Sequence, residues 1–169
     1  MKQIGVGILG FGTVGAGVAD GLLRHREVMS HRLGVDIVLK KIADLDITTP
    51  RGITVDTSIL TTDAQSTIAD EQIDIIVETI GGTGIAKKFV LDALNAKKCV
   101  VTANKKLLAE FGQEIFDTAQ KNGVDIYFGA SVGGGIPIIR VLREGLAGNN
   151  IESIHGILNG TCNYILTRM

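Results

Sequence analysis

A chain of 169 residues, 45% apolar and 21% charged, has the composition of about one globular domain, long enough to bury roughly two-thirds of its unfolded surface. Its net charge of −1, with lysines and arginines dispersed, supplies no basic stripe, which excludes nucleic acid and an anionic membrane surface as expected partners. Cys99 and Cys162 are too few for a disulfide framework, and no run reaches the ~18 apolar residues of a membrane span, so a reducing cytoplasm is the expected compartment.

Residues 3–9 predict a first strand and residues 13–26 a first helix, with Val14, Val18, Leu22 and Leu23 on its apolar face. Between them runs Gly10-Phe11-Gly12-Thr13-Val14-Gly15. In this context Gly10 makes the tight turn, Gly12 admits a pyrophosphate, and Gly15 lets helix and strand pack closely, with the anion on the helix N-terminus. The apolar start superficially resembles a secretory leader. The glycines from Gly5 to Gly17, each costing about 1 kcal/mol in a helix relative to Ala, argue instead for a mature N-terminus.

A loop over 27–35 leads to a strand at 36–43 and then Asp44. A turn-rich stretch with Pro50 and Gly52 precedes a helix near 62–71 and a buried strand over 74–78. Further on, the pattern predicts a helix at 84–96, a strand at 99–102, helical segments within 105–122 and a strand at 124–128. Such alternation specifies an α/β fold, a Rossmann-type doubly wound and mostly parallel sheet. Beyond it come a glycine-rich loop, a helix from about 137 to 147 closed by Gly148-Asn149-Asn150, a strand over 151–158 and a helix opening at Thr161. The expected organisation is a dinucleotide-binding domain over 1–128, a loop and connecting helix over 129–148, and the start of a second, α+β domain over 149–169.

Several residues carry candidate chemistry. Asp44, ending the second strand, would accept from a ribose 2′-OH and choose NAD, whereas Lys40, Lys41 or Arg51 would hold the 2′-phosphate of NADP, and both readings stand. Thr79 and the glycines after it leave a strand at the carboxyl edge, where open α/β sheets bind ligands. Lys105 follows Asn104, a helix N-cap candidate, and a lysine pair there opposes the helix dipole, which argues for a purpose such as supporting a developing alkoxide. The loop at 129–136 reads as backbone geometry or as carbonyl ligands for a hard cation, geometry being the stronger reading. Cys162 as a nucleophile needs a base, and His25, His31 and His155 are poorly placed to be one. Thr161 is a candidate hydrogen-bond donor to substrate.

Four segments together resemble homoserine dehydrogenase: Gly10-Phe-Gly-Thr-Val-Gly15, Val101-Thr-Ala-Asn-Lys105, Ala130-Ser-Val-Gly-Gly-Gly-Ile-Pro-Ile-Ile139 and Gly156-Ile-Leu-Asn-Gly-Thr-Cys-Asn-Tyr-Ile-Leu166. Their order and spacing match over essentially the whole chain. The resemblance implies NAD(P)-dependent interconversion of L-homoserine and L-aspartate 4-semialdehyde, in threonine and methionine biosynthesis. It implies cofactor contacts at Phe11, Gly12, Thr13, Val14, Thr79 and Lys105, with Lys105 at the nicotinamide end, and a substrate contact at Thr161. It also implies sodium bound by the backbone carbonyls of Val132, Gly134 and Ile136. The family usually has Glu where this chain has Gly129, a change that a main-chain carbonyl ligand tolerates. In the family the substrate-binding acids, the proton-transfer lysine and most dimer contacts lie beyond the segment matched here. The expectation is therefore cofactor binding without appreciable turnover, and a homodimer at full length. Two rivals make different demands: an acylating aldehyde dehydrogenase requires the Cys162 thiol, and a non-catalytic NAD(P)-sensing module ignores homoserine.

Overall fold

The computed structural model describes residues 1–156 and 160–169, apart from the side chain of residue 161. The chain divides into two compact units, Met1–Tyr127 and Phe128–Met169. In the first, six strands form one parallel sheet: β1 (Gln3–Leu9), β2 (Asp36–Ala43), β3 (Leu60–Thr61), β4 (Ile75–Glu78), β5 (Cys99–Thr102) and β6 (Ile126–Tyr127). Their spatial order is β3-β2-β1-β4-β5-β6, so the winding reverses between β1 and β4. This is the doubly wound Rossmann order, which opens a crevice beyond the carboxyl ends of those two strands.

Helices α1 (Thr13–Arg24), α2 (Arg26–Leu33), α3 (Ala64–Ala69), α4 (Gly84–Asn95) and α5 (Lys105–Asn122) connect the strands. The sheet separates two apolar clusters. Leu9, Ile76, Val90, Leu94, Val100, Leu107 and Ile115 fill one, while Ile8, Phe11, Ala16, Ala19, Leu39 and Ile42 fill the other. Strands buried on both faces explain the near-continuous apolar runs in the sequence.

Four local readings change. The expected loop at 27–35 is mostly the helix α2, which buries no residue and ends on a left-handed Gly34. The buried stripe of α1 is Gly15, Ala16 and Ala19, whereas Val14 and Leu23 are exposed. The glycine turn brings this helix so close to the sheet that only small residues fit beneath it. The two-residue strand β3 was not foreseen. Residues 151–156 form no strand, and residues 157–159 lie outside the described residues. In the second unit, α6 (Ile138–Arg140) runs into a π turn, Val141–Gly145, and α7 covers Gly160–Arg168.

Candidate functional site

The geometry at the end of β1 follows from where a side chain would collide. Gly10 has φ +99°, and a Cβ there would come within 2.8 Å of the Thr79 carbonyl carbon. A Cβ on Gly15 would lie 2.0 Å from the Gly10 carbonyl oxygen, so α1 can start only with glycine at that position. Gly12 is different. A Cβ there meets no protein atom within 4 Å, and its backbone is extended at φ −70°, ψ −164°. Intramolecular packing gives no reason for this glycine, while the approach of a ligand does. No side chain caps α1 and its first turn carries no acid, which leaves its opening amides for an anion.

Thr79 fastens the next loop to this turn. Its Oγ1 donates to the Gly10 carbonyl at 2.8 Å, and its amide donates to the Leu9 carbonyl at 2.8 Å. Asp44 braces the turn from the other side: one carboxylate oxygen accepts from the Phe11 amide and the other from the Asp46 amide at 2.8 Å. The Phe11 ring is buried in the core, so its contribution to the rim is its backbone.

A cavity of about 590 Å³ opens beside the turn. Gly10, Gly12, Asp44 and Thr79 line it, as the sequence suggested, and Leu45, Ile80, Ile85 and Phe89 give it apolar walls. Those apolar residues were missed, because they come from three separate loops and helices whose meeting only the fold reveals. Leu45, an apolar residue two positions past the end of β2 and beside Asp44, is the one signal in the sequence that could have been noticed. Thr13 and Val14 are exposed on the first turn of α1 and do not line the cavity.

The lysines and arginine weighed for a 2′-phosphate are engaged elsewhere. Lys40 donates to the Gln3 side chain at 3.2 Å, Lys41 pairs with Asp70 at 2.9 Å, and Arg51 pairs with Asp46 at 3.1 Å. Hydrogen bonds from Thr49 and Thr48 hold the Asp46 carboxyl well below the usual range, keeping it an anionic partner for Arg51.

Across the crevice, Asn104 caps α5 by accepting from the Leu107 amide at 3.0 Å, which places Lys105 exposed on the first helical residue. Lys105 does not line the cavity beside Asp44. The structure therefore gathers Gly10, Gly12, Asp44 and Thr79 on one rim and leaves Lys105 at the head of the neighbouring helix α5. In the second unit, Gly133 and Gly135 have φ of +66° and +82°, and the Ile136 amide donates to the Gly133 carbonyl at 3.0 Å. The loop carrying Gly129, Val132, Gly134 and Ile136 thus turns sharply twice. Cys162 is exposed on α7, and the Thr161 side chain lies outside the described residues.

Comparison with known proteins places this geometry. A family profile described as "Homoserine dehydrogenase, NAD binding domain" matches residues 10–129, and one described as "Homoserine dehydrogenase" matches residues 137–169. The homoserine dehydrogenase of Bacillus subtilis is 46% identical over 169 residues, which is all of this chain and 39% of that protein. The crystal structure of a homoserine dehydrogenase from Thiobacillus denitrificans superposes with a TM-score of 0.90 at 45% identity, covering 100% of this chain and 39% of that one. A hyperthermophilic archaeal homoserine dehydrogenase in complex with NADPH gives a TM-score of 0.69 at 26% identity, covering 88% of this chain and 50% of its own. The chain thus spans about two-fifths of the Bacillus relative, and these matches do not favour an acylating or purely sensory reading. With its glycine turn, sheet order and two profile matches in register, the chain belongs to the homoserine dehydrogenase family.

Proposed function

We propose that this chain is the cofactor-holding part of an enzyme that interconverts L-homoserine and L-aspartate 4-semialdehyde, and that it binds NAD(P). The observation that carries the reading is the empty space over Gly12, bounded by the uncapped start of α1 and by Asp44 and Thr79. The amides of Thr13, Val14 and Gly15 would take the pyrophosphate, and the apolar walls Leu45, Ile85 and Phe89 would take the adenine. A bound nicotinamide would supply the hydride chemistry at C4 of the substrate.

The residues of this chain bind and orient. Lys105, exposed at the head of α5, would stabilise negative charge developing on the substrate oxygen. Thr161 would donate a hydrogen bond to substrate. The carbonyls of Val132, Gly134 and Ile136, with that of Gly129, would bind sodium, a reading supported by the double turn of their loop and by the family resemblance. The full-length protein is proposed as a cytoplasmic homodimer.

Asp44 favours NAD over NADP. Its carboxylate already sits at the rim, and of the cations that could meet a 2′-phosphate Lys41 and Arg51 are paired with Asp70 and Asp46. Side-by-side fluorescence titration of NADH and NADPH tests both statements. NADH should bind about tenfold more tightly, with a Kd below roughly 1 mM. Binding of neither nucleotide at millimolar concentration overturns the function, and tighter NADPH binding overturns the role of Asp44 alone.

A further inference from the structure

Glu78 is the last residue of β4, one of the two central strands, in register with Leu9 of β1 on one side and Thr102 of β5 on the other. It has no exposed surface. An ionised carboxylate in such a place is costly unless donors surround it, and removing one partner of a satisfied network costs more than the average hydrogen bond. Three donors do surround it. Oε1 accepts from the amides of Ile80 at 2.8 Å and Gly81 at 3.2 Å, and Oε2 accepts from Thr102 Oγ1 at 2.6 Å.

The network continues past its first partners. Thr102 Oγ1 accepts from the Asn104 amide at 3.0 Å, and Asn104 Nδ2 donates to the Gly82 carbonyl at 2.6 Å. Glu78, Thr102, Asn104 and Gly82 therefore close a ring that joins the loop over 79–82 to the loop ending at Lys105. Thr79, inside the first loop, is fastened in turn to the glycine turn. No other buried acid among the described residues links two loops at this edge.

We propose that Glu78 is a positioning residue, whose buried carboxylate fixes the spacing between the loop over 79–82 and Lys105 and so shapes the nicotinamide half of the cofactor site without touching the ligand. The inference rests on the reading that these loops hold a dinucleotide. An apolar residue would fill the same volume but take the carboxylate acceptor away from the Ile80 and Gly81 amides and from the Thr102 hydroxyl. Glutamine keeps the shape and turns one acceptor into a donor.

The test separates the two halves of the ligand. Calorimetry on the whole chain would compare NADH and NADPH with ADP, which reaches only the glycine turn and the apolar cavity. Glu78→Gln should weaken the better dinucleotide about tenfold and ADP by a clearly smaller factor, because ADP meets Thr79 and Ile80 of the loop but does not reach Lys105. Thr102→Val should do the same, and Thr102→Ser, which keeps the hydroxyl, should restore the affinity of the unmodified chain. Should Glu78→Gln not fold, the Thr102 pair decides the question. Equal losses for ADP and dinucleotide, or no loss, would overturn the proposal. An unmodified chain that binds neither ADP nor dinucleotide overturns the cofactor reading itself, an outcome distinct from the first two.

Discussion

Gly12 and Gly15 stand three residues apart and have opposite reasons for lacking a side chain. A methyl group on Gly15 would overlap the Gly10 carbonyl at 2.0 Å, backbone against backbone, with no flexible atom able to yield. Gly15→Ala should therefore lower the melting temperature sharply, at a cost of several kcal/mol, as strain in a packed turn does. A methyl group on Gly12 enters open space at an ordinary φ, so its cost to the fold is limited to a poorer helix cap, about 1 kcal/mol. Gly12→Ala should nonetheless abolish most nucleotide binding, since that space is where the pyrophosphate would pass. Thermal melts and titrations on the two variants check this, and nucleotide affinity unchanged in Gly12→Ala would show that the anion goes elsewhere.

At the scale of elements, what could be read from the sequence depended on what holds each element. The strands β1, β2 and β5 and the helix α5 are apolar runs or amphipathic stretches with clear ends, Asn104 capping α5 and Gly123 closing it at φ +67°. α2 was illegible because it has no apolar stripe. It is held by polar groups: Arg26 Nε and Nη2 donate to the two oxygens of Asp36 at 2.8 and 2.7 Å, with Ser30 adding a weaker bond at 3.4 Å. Periodicity cannot see such a helix, whose signals are confined to its ends: Glu27 in the first turn, His31 and Arg32 in the last, and Gly34 following. Over residues 151–156 the expected strand does not form, for the converse reason. Alternation marks a residue pattern, but a strand exists only as part of a pair, and residues 151–156 pair with no described segment. The candidate site was half legible: the glycine turn follows from spacing and Asp44 from its place at the end of the second strand, while the apolar walls and the ring around Glu78 depend on loops from distant parts of the chain.

The same contact that holds α2 gives it a pH signature. The hydrogen bond from Arg26 lowers the Asp36 pKa from 3.8 to about 2, against a smaller opposing effect of desolvation. A carboxyl depressed on folding contributes stability that is complete above its unfolded pKa and is lost as the pH falls through its folded one. The Asp36 contribution should therefore vanish between about pH 4 and pH 2 and be constant above that window. Urea unfolding across pH 2–7 should show that Asp36→Asn is less stable than the unmodified chain at neutral pH, and that the difference closes over this acidic window. Parallel profiles for the two proteins would remove Asp36 from the account of acid sensitivity.

On the scale of the whole molecule, burial is distributed unevenly. Every buried residue among those described lies in Met1–Tyr127, and none lies in Phe128–Met169. The second unit instead exposes Ile136, Ile154, Tyr164, Ile165 and Leu166. Among the described residues its backbone bonds are local turns, α6 with its π turn, and the nine-residue α7, all shorter than the ~12–15 residues at which an isolated helix becomes even marginal in water. Amide protection follows the free energy of opening, and a segment with no buried apolar contacts opens at little cost. Hydrogen exchange should divide the chain near residue 128. Amides of β1, β4 and β5, hydrogen-bonded on both sides within the sheet and packed between two apolar clusters, should exchange only through global unfolding and slow further when nucleotide is added. Amides of Gly160–Arg168 should exchange within seconds, with or without nucleotide. Protection of that helix comparable to β4 would mean that exposed side-chain area misjudges what orders it, and would reassign part of the stability to the second unit.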